Sequence, residues 1–118
     1  MNNVAWIVVA VVAVVAFLYV KGFMGGSRMP ASTVKEKIEA GAKIVDVRSP
    51  EEFRDGAYPG AVNIPVQEIG RRMGEIPKDK PVVLYCASGA RSAAAARQLK
   101  QAGYADVVNA GGLGDMPR

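Results

Sequence analysis

Histidine is absent from this 118-residue chain, and cysteine occurs once, as Cys86. A lone cysteine excludes an intramolecular disulfide, and without imidazole the usual Cys/His zinc clusters have no donor set. The same absence removes every triad that relies on a histidine base. A nucleophile in this chain must instead be activated by backbone dipoles or by a cation, so no metal and no cofactor are expected. Charge is missing from the first 20 residues, and all 15 Lys and Arg and all 11 Asp and Glu follow them. The net charge of +4 is interspersed with acids, as in Lys35-Glu36-Lys37, and no basic stripe with interleaved aromatics is present. No nucleic-acid partner is therefore expected. No internal repeat is found.

What the N-terminus has instead is an apolar run, Val4 to Val20. As a helix of about 1.5 Å per residue it reaches about 25 Å, at the short end of a span across a core of about 30 Å. Snorkelling of Lys21 extends it through Met24, and Trp6 and Tyr19 stand near the two ends, where amphipathic rings favour the interface. A cleaved signal peptide fits less well, because Met1-Asn2-Asn3 carries no positive charge and no small-x-small site precedes Lys21. The expected organisation is a transmembrane helix over 4–24, a Gly-rich linker over 25–31 and one domain over 32–118. Lys21, Arg28, Lys35 and Lys37 all follow the run, which places the domain in the cytoplasm of a single-pass membrane protein. A lone cysteine suits that reducing compartment.

The remainder alternates strand and helix. Thr33 and Glu36 have capping-box spacing and predict a helix over 32–40 ending at Gly41. Residues 43–47 (KIVDV) predict a strand, 50–55 a short helix with Pro50 in its first turn, and Pro59-Gly60 a turn. A short strand over 61–64, a helix over 66–73 and a polar loop over 77–81 follow. Val82 to Tyr85 is apolar on both faces, as a strand covered by helices on both sides must be. Arg91 to Ala102 is an Ala-rich helix stopped by Gly103, and Val107-Val108 a last strand. The pattern predicts an α/β layered domain with a mainly parallel sheet flanked by helices.

Cys86 directly follows the strongest strand, and Arg91 opens the strongest helix. Between them stand Ala87, Ser88, Gly89 and Ala90. A strand, a small-residue turn and a helix N-terminus form a nest of N–H groups at the carboxyl end of a parallel sheet, where ligands bind. The helix dipole contributes at most about 2 kcal/mol to a thiolate there, so loop N–H groups and Arg91 must add to it. A cation in the first turn faces the dipole unfavourably, which an anion held nearby would offset. Asp46 and Arg48 share one face of their strand and are expected to pair, since a polar residue in an apolar strand must find a partner.

Three stretches, DVRSPEEF (46–53), GAYPGAVNIP (56–65) and YCASGARSAAAARQLKQAGY (85–104), resemble the rhodanese family in order and spacing. The resemblance runs from about Thr33 to Gly112. It implies a rhodanese-like fold and a thiosulfate or persulfide sulfurtransferase. Cys86 would take a sulfane sulfur as a persulfide and pass it to a thiol, to cyanide or to a protein persulfide partner. The amides of Ala87, Ser88, Gly89, Ala90, Arg91 and Ser92 would cradle the persulfide, Arg91 would favour an anionic donor, and Asp46 and Arg48 would support the loop. Ala57 and Tyr58 stand where the family usually has His and Ile, and Leu113 where it usually has Trp. Two other readings remain at this point. A phosphatase or arsenate reductase on the same fold would place five residues between Cys and Arg, against four here. A non-catalytic, membrane-tethered binding module would not need the cysteine.

Overall fold

The computed structural model describes residues 3–24 and 27–118, with side chains placed for 4–16 and 27–118. The first helix, α1, spans Asn3–Met24. Its described apolar side chains are exposed, Trp6 most of all at 75%. Among the described residues no helix is long and apolar enough to cross a membrane. The expected span over 4–24 is thus not supported. Gly25 and Gly26 of the expected linker lie outside the described residues.

The rest of that linker is part of the domain. Arg28 bridges to Asn109 in parallel fashion, and Met29 N–H donates to the Asn109 carbonyl at 2.7 Å. Arg28 and Met29 are thus tied to the sheet. Helix α2 runs Ala31–Glu39 and starts on Pro30, with no side-chain cap, so the Thr33–Glu36 capping box does not form. Thr33 already lies inside the helix, where its hydroxyl is past the orphan N–H groups a cap would serve.

Strand β1 covers Lys43–Asp46 and helix α3 Pro50–Asp55. A capping box does form at α3: Ser49 accepts from Glu52 N–H while the Glu52 carboxylate accepts from Ser49 N–H. Strand β2 is short, Val62–Asn63. The helix expected over 66–73 is broken. A 3-10 turn at Val66–Glu68 leads into α4, Ile69–Arg72, and a second 3-10 turn follows at Met73–Glu75. Gly70 and Gly74 weaken a continuous helix here, each costing about 1 kcal/mol relative to alanine.

Strand β3, Val82–Cys86, is buried at all five positions. Helix α5, Ala90–Gln101, and strand β4, Val107–Gly112, complete the sheet, which closes with a 3-10 turn at Leu113–Asp115. Strand order is β2-β1-β3-β4, with every pairing parallel. Alternation along β3 divides the core. Val82, Leu84 and Cys86 face Ala95, Ala96 and Leu99 of α5, whereas Val83 and Tyr85 face Val34 of α2 and Met116. Ala95 and Ala96 carry little bulk, so α5 lies close on the sheet and its N-terminus sits over the end of β3.

Candidate active site

Cys86 is the last residue of β3 and is 0% exposed. Its neighbours Ala87, Ser88 and Ala90 are exposed, so the sulfur lies beneath the loop it begins. Gly89 turns the loop with φ +105, a left-handed conformation that favours glycine, and its N–H donates to Cys86 Sγ at 3.0 Å. The Ser92 hydroxyl, in the first turn of α5, is 3.4 Å from Sγ.

Burial pushes the Cys86 thiol up, as the largest single influence. Against it act the Ser92 hydroxyl and the backbone N–H groups of Ser92, Gly89 and Ser88. Together they prevail, and the thiol is held below its ordinary value. Of the six expected cradle residues, Ser88, Gly89 and Ser92 thus turn backbone N–H groups on the sulfur.

Arg91 does something the sequence did not lead us to expect. Its guanidinium forms a two-pronged pair with Glu52, at 2.8 and 3.1 Å. The anion that offsets its position at the helix N-terminus is a carboxylate of the chain itself, not a bound donor. Glu52 is lowered to about 2, first by its bond from Arg91 and then by the Ser49 N–H. Arg91 is raised, chiefly by Glu52, and the Cys86 sulfur acts on it in the same direction. The guanidinium therefore feels both a carboxylate and the sulfur.

Asp46 and Arg48 pair as expected, at 2.6 Å, with the Arg48 guanidinium also donating to the Gly56 carbonyl at 2.7 Å. Arg48 is raised by this partner. The pair ties β1 to the turn after α3. Tyr58, at the departure from the family pattern, donates its N–H to the Tyr85 hydroxyl at 2.9 Å.

Strand β4 holds the other side of the loop. Register with β3 passes from Leu84↔Asn109 to Cys86↔Gly112, so β4 carries one extra residue in a bulge. Asn109 Oδ1 accepts from the Ser92 hydroxyl at 2.6 Å and from Gly111 N–H at 2.9 Å, and its Nδ2 donates to the Gly89 carbonyl at 3.2 Å. Gly112 has no room for a Cβ, which would collide with the Ala87 carbonyl oxygen. Glu52, Asn109 and Gly112 were missed as site residues. Only Glu52 had a legible local role, three residues after Ser49.

The rhodanese-like domain model matches residues 30–113. A sulfurtransferase of Allochromatium vinosum is 50% identical over 66 residues, 56% of this chain and 62% of that protein. The thiosulfate sulfurtransferase PspE of Escherichia coli is 40% identical over 74 residues, 61% of this chain and 71% of that one. A solved structure described as a rhodanese with anions from E. coli is 39% identical, covers 64% of this chain and 94% of its own, and superposes with a TM-score of 0.61. By these matches and by its parallel four-stranded sheet, the chain belongs to the rhodanese-like domain family.

Proposed function

We propose that this chain is a sulfurtransferase that carries sulfane sulfur as a persulfide on Cys86. The observation that carries the reading is the sulfur's position as acceptor of the Gly89 N–H, beside the Ser92 hydroxyl, with its titration lowered despite full burial. The Cys86 thiolate attacks the outer sulfur of a donor. A new S–S bond forms to Sγ, and the donor's S–S bond breaks with its electron pair leaving on sulfite, for thiosulfate, or on a thiolate, for a persulfide. An acceptor thiolate or cyanide then attacks the outer sulfur and returns Cys86 as thiolate, a covalent two-step exchange. The names of the A. vinosum and E. coli relatives support this direction. A protein thiol is an acceptor of the same chemistry.

The same proposal holds residues 4–24 in a lipid bilayer, with the domain on the cytoplasmic side. What supports it is the uncharged run Val4–Val20, the helix that continues to Met24, and the basic residues that follow.

Intact mass after incubation with thiosulfate tests the chemistry. Wild-type protein is expected to gain one sulfur atom, lost on treatment with thiol, and Cys86→Ser to gain none. Equal behaviour of the two would end the proposal.

A further inference from the structure

We infer that Glu52 is a specificity-determining residue, which neutralises Arg91 at the mouth of the loop and turns the site away from the thiosulfate dianion toward persulfides of lower charge. The inference rests on the persulfide reading above and concerns its donor.

Among the described residues, Arg91, Arg28 and Arg48 are each matched by a carboxylate. Arg91 is held by Glu52 at 2.8 Å, with the two side chains 38% and 36% exposed. Arg28 lies against Gly111, which packs on Gly89, and pairs with Asp115 at 3.2 Å. Arg48 pairs with Asp46 at 2.6 Å. The exposed loop residues Ala87, Ser88 and Ala90 add no charge. These three pairs add no net positive charge for a dianion approaching Cys86, which also meets a sulfur that itself tends to the thiolate. Repulsion grows with donor charge, so a persulfide of one charge or none is favoured over thiosulfate. In either case Sγ gains the outer sulfur, and the electron pair of the broken S–S bond leaves on the departing group.

Glu52 is well suited to a clean test, because Gln is isosteric and keeps an acceptor for the Ser49 N–H and hydroxyl. Loading of full-length protein is followed by mass, with thiosulfate and with an alkyl hydropersulfide as the two donors. Glu52→Gln is expected to raise the efficiency of thiosulfate loading roughly tenfold, through a lower KM, and the gain should shrink at high salt. Loading from the hydropersulfide should respond less than loading from thiosulfate, in proportion to its smaller charge. Arg91→Met placed in the Glu52→Gln protein should cancel the gain. In wild type, added salt should not lower thiosulfate loading relative to hydropersulfide loading, because it screens a repulsion and not an attraction.

If wild-type protein loads from neither donor, the sulfurtransferase reading itself fails. If it loads from both, and Glu52→Gln leaves the donor ratio unchanged, only the role of Glu52 is overturned. A wild-type thiosulfate rate that falls steeply with salt while hydropersulfide loading does not overturns that role as well, whether or not the variant folds.

Discussion

The Ser92 hydroxyl has one proton and four acceptors within reach: Asn109 Oδ1 at 2.6 Å, the Gly89 carbonyl at 3.2 Å, and Cys86 Sγ and the Gly111 carbonyl at 3.4 Å. While the thiol is neutral, the short contact to Asn109 holds that proton. Asn109 is fixed in turn, because Oδ1 accepts from Gly111 N–H and Nδ2 donates to Gly89. Once Cys86 ionises, its sulfur becomes a charged acceptor, and charge-assisted bonds are roughly twice as strong as neutral ones. The hydroxyl can then turn to the sulfur. Ser92→Ala should move the Cys86 titration upward and slow persulfide loading near neutral pH by roughly fivefold, about the worth of one hydrogen bond. Loading rate against pH checks this. The wild-type midpoint should lie below the ~8.5 of a free thiol, with the variant's midpoint above the wild type's. The sign also bears on stability. A thiol lowered in the native state stabilises the fold above the unfolded thiol's pKa, and that contribution is lost as pH falls through the native value.

At the scale of elements, the loop is held between α5 and the bulged end of β4. Gly112 is where the fit is closest, since a Cβ there meets the Ala87 carbonyl oxygen, a backbone atom with no flexible end to move. Gly112→Ala must shift the loop or the strand. The expected outcome is a loss of about 1–3 kcal/mol of stability, as for other overpacked sites. Persulfide loading should fall by at least roughly tenfold, because displacement of a cradle costs more in rate than in stability. Thermal unfolding and mass-monitored loading on the same sample would separate the two. Unchanged loading would mean that the contact does not shape the cradle.

The same elements show what the chain makes legible. Strand β3 and helix α5 could be read directly, because Val82 to Tyr85 is apolar on both faces and residues 93–96 are all alanine. The pair of Asp46 with Arg48 was legible because two residues on one strand face have few other partners. The bond from Arg91 to Glu52 was not, because it joins side chains 39 residues apart that meet only once the chain has folded. Nor was the length of β4, where Asn109 and two glycines interrupt the β-branched run. The bridge of Arg28 to Asn109 is a single residue pair, too short to leave a periodic pattern. Contacts within one element leave a periodicity in the sequence; contacts between elements leave none.

For the whole molecule, the exposed face of α1 sets the prediction. Its described apolar side chains, Val4 through Val15, are between 55% and 75% exposed where they are large. A contiguous apolar surface of this kind marks an interaction site, and on the proposed reading its occupant is lipid. We therefore expect full-length protein to float with phospholipid vesicles and to leave them only in detergent. Replacing Val11 and Val12 together with lysine should release it, since each lysine near the centre of a span costs about 2.5–3.5 kcal/mol. Sulfur loading of the released protein should be unchanged, because neither position belongs to the loop or to the sheet. Wild-type protein that stays in the aqueous layer without lipid or detergent would remove the anchor and leave the chemistry of Cys86 untouched. Release with loss of loading would instead mean that α1 supports the domain directly.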